Sequence, residues 1–233
     1  MTSFLPQNHV RHFSLAVIVA LSLLAATSSA ETTNAPRGVV SIRSDFAGGN
    51  VTVTENTEGQ VLMEPDLRGE RPWFYWYFEA TATQPGRVKF VFPEKVAGFT
   101  NGAIGCQGPA ISIDQGKTWK WMGVDQVEGP TFWYDFAKKG DRIRFAVTIP
   151  YLEHDFDAFL KANASNPHVE QCVLTKSRHG RDVELMRIGS PGPDRKPVLV
   201  TGRHHAAETM ASFVLEGFLA EAMSESDSGK AFR

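Results

Sequence analysis

The chain has 233 residues, of which 42% are hydrophobic, so it is long enough to bury the core of one large domain or of two modest ones. Its 24 basic and 26 acidic residues give a net charge of −2. This balance argues against nucleic acid or an anionic membrane surface as a partner.

Residues 1–30 have the pattern of a secretory signal peptide. Arg11 precedes an apolar stretch at residues 13–26, and small residues follow at positions 28–30, ending at Ala30. The stretch is short for a membrane span, which favours cleavage after Ala30 over an uncleaved anchor helix. We therefore expect the mature protein to be secreted or periplasmic, with no membrane contact after cleavage.

Residues 38–150 have the pattern of an antiparallel β-sandwich. Short segments rich in β-branched and aromatic residues, separated by Gly and Pro turns, are predicted as strands. They lie at residues 51–54, 87–92, 110–114, 117–122, 131–136 and 142–149. Residues 73–78, Trp-Phe-Tyr-Trp-Tyr-Phe, are typical of a strand buried on both faces or at a domain contact. Core packing explains these aromatic side chains better than a carbohydrate-binding surface does.

The two cysteines, Cys106 and Cys172, fit two alternatives. In an oxidising compartment they could form a disulfide bond. They could equally be two buried thiols, because the sequence does not give their separation in space. Neither has a Cys-x-x-Cys partner, so they do not indicate a metal site.

From residue 151 the pattern changes to that of an α/β domain. We predict a short helix over residues 154–162, strands over 170–177 and 182–188, and a fully apolar, buried strand over 197–201. A helix over about 207–224 follows, with an apolar face at helical spacing. Strand, strand, strand and helix are the beginning of an α/β domain, so the fold class is α+β followed by α/β.

His205 and Glu208 carry the main chemical signal of the sequence. At the beginning of a helix, His-x-x-Glu places the two side chains about one turn apart on the same side. Zinc accepts imidazole nitrogen and carboxylate oxygen, and ligand sites in α/β sheets lie beyond the carboxyl ends of strands. The pattern is short enough to occur by chance, so a surface histidine beside an ordinary first-turn acid is the alternative.

Three segments resemble the M14 zinc carboxypeptidases, in the form of the cytosolic carboxypeptidases. Residues 201–212, Thr-Gly-Arg-His-His-Ala-Ala-Glu-Thr-Met-Ala-Ser, resemble the first zinc-binding segment of that family. Residues 73–78 resemble the aromatic strand of the small β-sandwich domain that precedes its catalytic domain. Residues 149–160 resemble its Pro-Tyr-Thr-Tyr motif, with the departure that Leu152 and Glu153 stand where the motif has Thr-Tyr.

The resemblance implies a metallocarboxypeptidase with Zn²⁺ as cofactor and a peptide as substrate. Residues 151–233 would be the truncated start of an α/β/α zinc-carboxypeptidase domain, with His205 and Glu208 as its first two zinc ligands. It makes His204 a neighbour of the ligands. Arg203 matches an arginine often present just before the histidine, and we assign it no catalytic role. The third ligand, the substrate-binding arginines and the general-base glutamate are expected further downstream than Arg233. No catalytic residue then falls within the chain, and we expect it to be inactive alone.

Two alternative functions stay open at this point. A zinc-dependent N-acyl amino acid hydrolase of the aspartoacylase type also has a His-x-x-Glu pair, usually as His-Gly-Asn-Glu and without a preceding sandwich. A non-catalytic exported β-sandwich binding module would not use His205 at all.

The C-terminal part of the chain has too few elements to bury its own sheet, because three strands and one helix cannot cover both faces. Residues 169–233 are therefore expected to expose apolar surface and an unpaired strand edge.

Overall fold

The structure is a computed structural model that describes residues 38–65, 67–68, 71–72, 75–96, 99–100 and 103–233. The predicted signal peptide, and Trp73 and Phe74 of the aromatic segment, lie outside the described residues. Within the described ranges, no helix has the length and apolarity needed to cross a bilayer.

The described part of the chain is mostly β-sheet with few helices, as the strand-rich pattern predicts. The strands are β1 (Val40–Arg43), β2 (Thr52–Asn56), β3 (Gln60–Glu64), β4 (Leu67–Arg68), β5 (Arg71–Pro72), β6 (Tyr77–Ala82), β7 (Gly86–Val91), β8 (Lys95–Val96), β9 (Phe99–Thr100), β10 (Ala110–Ser112), β11 (Lys120–Trp121), β12 (Val127–Glu128), β13 (Thr131–Phe136), β14 (Arg142–Ala146), β15 (Val169–Lys176) and β16 (Asp182–Ile188). The helices are α1 (Glu153–Ala162), α2 (Thr209–Ala222) and α3 (Asp227–Phe232).

Two five-stranded sheets contain most of these strands. The first sheet has the order β1-β6-β14-β10-β11, and the second has the order β12-β13-β7-β3-β2. Neighbouring strands are antiparallel except for β3 and β7, which are parallel. A turn that contains Gln115 and Gly116 joins β10 to β11, which pair antiparallel. Both turn residues have left-handed backbones, with φ of 65° and 93°. β10 ends two residues before its predicted end, and β11 begins three residues after its predicted start. The turn is wider because the Asp114 carboxylate accepts the backbone N–H groups of Lys117 and Thr118.

One aromatic cluster fills the core between the two sheets. Phe78 and Phe145 come from the first sheet, and Phe90 and Phe132 come from the second. The ring centroids lie 5.4 Å apart for Phe78 and Phe90, and 5.3 Å apart for Phe132 and Phe145. Trp76 is fully buried and stacks on Phe132 at an interplanar angle of 10°. Burial of each such side chain stabilises the fold by roughly 1.5–3 kcal/mol.

The elements after residue 150 agree with the predictions in most places. The helix predicted over residues 154–162 is α1, and the strands predicted over 170–177 and 182–188 are β15 and β16, which pair with each other as an antiparallel hairpin. The helix predicted over 207–224 is α2, which begins two residues later and ends two residues earlier.

The prediction of a buried strand over residues 197–201 is wrong. The segment is a loop, and the side chains of Val198 and Leu199 are 69% and 78% exposed. A buried parallel strand needs a hydrogen-bonded neighbour on each side. In the described part of the chain, β15 and β16 pair only with each other and leave their outer edges without a strand.

The apolar face of α2 is also largely exposed rather than buried. Met210, Phe213, Val214 and Phe218 all count among the exposed large hydrophobic side chains. This agrees with the expectation that residues 169–233 expose apolar surface, because too few elements lie beside the helix to cover it.

Candidate metal centre

His205 and Glu208 lie in the loop that leads into α2. Glu208 is the residue immediately before the helix, and its carboxylate makes no capping hydrogen bond to the helix. Instead, Glu208 Oε1 lies 2.6 Å from His205 Nδ1, and Glu208 Oε2 accepts the backbone N–H of His205 at 3.1 Å. The two predicted ligands therefore meet, although the elements around them are a loop and a helix rather than a strand and a helix.

The middle of the motif fixes this arrangement. Ala206 and Ala207 are partly buried and pack against the aromatic core, as does Leu152. The side chains of His205 and Glu208, at either end, are 53% and 45% exposed. The short apolar residues thus attach the loop to the sheets while the imidazole and the carboxylate face solvent.

Thr209 attaches the first turn of α2 to the segment that follows β14. It is fully buried, its Oγ1 donates to the carbonyl oxygen of Ile149 at 2.7 Å, and it lies 3.0 Å from Thr148 Oγ1. A buried hydroxyl needs such partners, because an unsatisfied one costs about 1–3 kcal/mol. The position of Glu208 is therefore set on both sides, by Ala207 and by Thr209.

Tyr151 contacts both the loop and the helix. Its hydroxyl donates to Glu216 Oε1 at 2.8 Å, and its ring meets Phe213 edge-on with centroids 5.1 Å apart. Its carbonyl oxygen accepts a hydrogen bond from the guanidinium of Arg203. Burial, together with the hydrogen bond to Glu216, raises the pKa of Tyr151 above its usual value. The sequence contains this residue in the Pro-Tyr segment, but its partners are 52 or more residues away and leave no local pattern.

The electrostatics of the pair favour a charged carboxylate. The hydrogen bond from His205 is the main cause that holds the pKa of Glu208 below its usual value. Glu208 is therefore ionised at neutral pH, which is the state in which a carboxylate binds a metal ion.

His205 and Glu208 are two side chains of this loop that could hold a metal ion. They supply an imidazole nitrogen and carboxylate oxygens, which are donors that zinc accepts, whereas catalytic zinc sites use three protein ligands and a water. Among the described residues, no group of three His, Cys, Asp or Glu side chains could hold a metal ion. His204 Nε2 lies 3.2 Å from Thr201 Oγ1. His168 forms a separate pair with Glu225, whose Oε1 lies 2.7 Å from His168 Nε2.

The structure has both cysteines as free thiols. Cys106 is exposed, and Cys172 is half-buried in β15. The disulfide alternative is therefore not supported, and neither thiol is buried as the other alternative predicted.

Comparisons with known proteins connect this site to one family. Residues 157–232, which include the whole loop, match the family model of the zinc carboxypeptidases. An uncharacterized protein from Zymomonas mobilis is 24% identical over 80% of this chain and 48% of its own length. Cytosolic carboxypeptidase 2 from Xenopus tropicalis is 30% identical over 44% of this chain and 12% of its own length. A metallo-carboxypeptidase structure from Burkholderia cenocepacia superposes with a TM-score of 0.67 at 24% identity, over 81% of this chain and 50% of that one.

The chain thus spans about half the length of the Zymomonas relative and of the solved structure, and it shares the fold of the latter. The family model, the named relatives and the shared fold all relate this chain to the zinc carboxypeptidases, and the family model itself matches residues 157–232.

Proposed function

We propose that the chain is part of a zinc metallocarboxypeptidase that removes C-terminal residues from peptides, and that His205 and Glu208 are two of its zinc ligands. The single observation that carries this proposal is the contact between His205 Nδ1 and Glu208 Oε1, 2.6 Å apart in a segment that matches the family model. The similarity of the chain to cytosolic carboxypeptidases supports membership of the cytosolic-carboxypeptidase subfamily and a peptide substrate. It favours a peptidase over an N-acyl amino acid hydrolase.

When bound, zinc would polarise the scissile carbonyl and lower the pKa of a bound water. The chain's own contribution is to hold one imidazole and one ionised carboxylate side by side at the protein surface. We place the third ligand and the general base in the half of the relatives that this chain does not span. The 233 residues by themselves are then expected to bind zinc weakly and to turn over no peptide, because two ligands and no base are an incomplete set.

We further propose the organisation that supports this site. Residues 38–150 form a β-sandwich domain, which the two sheets and their shared aromatic core support. Residues 151–233 form the start of the α/β/α peptidase domain. Residues 1–30 are a signal peptide that directs the protein to the periplasm or the exterior, a proposal supported by the sequence pattern.

Zinc titration of the whole chain tests the site. We expect Zn²⁺ to shift the NMR resonances of the His205 ring, and His205→Ala and Glu208→Gln each to weaken the binding at least about tenfold, because each removes one of two ligands. His179→Ala, at an exposed hairpin loop, is the matched control and should bind zinc as the unaltered chain does. Equal zinc affinity in all four proteins would refute the assignment.

A further inference from the structure

Arg203 has an unusual backbone for a large side chain. Its φ is 54°, in the left-handed region that residues with a Cβ rarely adopt and that costs roughly 1–2 kcal/mol. Such a conformation persists where the surrounding contacts over-determine it. The residue lies two positions before His205, so whatever holds it also sets where the loop begins.

The contacts of the Arg203 side chain explain why this conformation persists. Its guanidinium is half-buried and donates to the Tyr151 carbonyl oxygen from Nη1 and to the Ala206 carbonyl oxygen from Nε and Nη2, at 3.4 and 3.2 Å. All of these acceptors belong to the backbone. One planar group therefore joins the segment after the sheets to the middle of the His-Ala-Ala-Glu turn.

The guanidinium also acts on the tyrosines around it. Burial raises the pKa of the Tyr75 hydroxyl to about 12, and the positive charge of Arg203 partly opposes that rise. The Tyr75 hydroxyl itself donates to the Gly48 carbonyl oxygen at 3.1 Å. Arg203 thus lies in a defined setting of aromatic hydroxyls and backbone carbonyls, rather than at a free surface.

We propose that Arg203 is a positioning residue for the candidate zinc site: it locks the turn in which His205 and Glu208 meet. The proposal rests on the proposed function, since it assigns the purpose of the turn to zinc binding. By fixing the Ala206 carbonyl, the guanidinium fixes the peptide between the two ligands, and the turn then closes through the Glu208 N–H, which donates to the His205 carbonyl oxygen at 3.1 Å. Groups that orient metal ligands typically account for a 10- to 100-fold difference in metal affinity.

Two variants of the full chain separate the side chain from the backbone. Arg203→Gly removes the guanidinium but relaxes the left-handed backbone, because glycine adopts positive φ without cost. Arg203→Lys keeps a positive charge, but one ammonium cannot replace the planar fork that reaches two carbonyls. Arg178→Ala, at an exposed position in the β15–β16 turn, is the matched control.

The experiment measures Zn²⁺ affinity and, without metal, the exchange rate of the Glu208 amide. We expect both Arg203 variants to keep the thermal midpoint within a few degrees, to lose at least about tenfold in zinc affinity and to exchange the Glu208 amide at least about tenfold faster. Unchanged affinity and exchange in both variants would overturn the inference. If no protein binds zinc at His205 but the Arg203 variants still exchange faster, the zinc proposal fails while the positioning of the turn stands.

Discussion

The carboxyl groups of Glu79 and Glu208 both have lowered pKa values, but Glu79 is buried and Glu208 is half-exposed. Glu79 is 1% exposed in β6 and accepts hydrogen bonds from Arg142 at 2.7 Å and from Arg144 at 3.1 Å. Burial alone would raise its pKa, but the two arginines outweigh burial and hold the pKa below its ordinary value. Glu208 is half-exposed, and its pKa is lowered chiefly by one histidine. The buried carboxylate stabilises the sheet, whereas the exposed one is accessible to a ligand.

Replacement of Glu79 by Gln should destabilise the protein by about 2 kcal/mol at neutral pH. Stability is lost because two arginines no longer face a negative charge. The loss is smaller than for a fully buried ion pair, because Arg142 is partly exposed. Since the folded-state pKa of Glu79 is lowered, its contribution is complete above the ordinary value of 4.5 and decreases as pH falls below it.

Urea unfolding of Glu79→Gln and of the unaltered chain between pH 7 and pH 3 measures this difference. The difference in unfolding free energy should decrease as the pH falls. Glu64→Gln, at an exposed position in β3, is the control and should change stability little at any pH. A difference that is constant with pH would show that the charge of Glu79 is not its cause.

Helix α2 is attached to the rest of the protein at its beginning and along one side. Thr209 fixes the first turn, and Tyr151 contacts Phe213 and Glu216 one and two turns further along. The remaining apolar face is exposed. Near its end, Phe218 meets Phe232 of α3 edge-on, and Arg233 donates to the Ala222 carbonyl oxygen. The helix depends on such contacts for its stability, because an isolated helix of 14 residues is marginal in water.

Tyr151→Phe should loosen α2 while leaving the two sheets intact. The change removes one hydrogen bond to a charged group, worth about 1.5–3 kcal/mol, and keeps the ring that packs on Phe213. Hydrogen exchange should therefore accelerate in α2 but not in β6 or β7. Tyr134→Phe, in β13, is the control that should leave α2 unchanged, and uniform acceleration across the chain would contradict the local role of Tyr151.

The sequence predicts elements that depend on neighbouring residues better than elements that depend on contacts distant in the chain. The bounds of β13 and β16 were predicted to the residue, because alternating side chains and adjacent turns are local signals. The predicted strand over residues 197–201 was wrong, because a buried strand depends on neighbours that its own residues do not encode. His205 and Glu208 were found as a close pair for the same local reason. Arg203 and Tyr151 were missed as structural supports, because their contact joins segments 52 residues apart.

Buried side chains are unevenly distributed along the described part of the chain. The aromatic core belongs to residues 39–147, whereas residues 169–233 contribute few buried side chains and many exposed apolar ones. The candidate site lies where the two parts meet: Ala206 and Ala207 pack on the core, and α2 leads away from it. The sheets thus act as the rigid support on which the loop holds its two donors.

The proposed zinc site consists of His205 and Glu208 in this loop. Crystals of the chain grown with Zn²⁺, measured on both sides of the zinc absorption edge, test it most directly. We expect an anomalous peak about 2.0–2.2 Å from His205 Nδ1 and from a carboxylate oxygen of Glu208. Zinc bound elsewhere on the protein, with no peak at this pair, would contradict it.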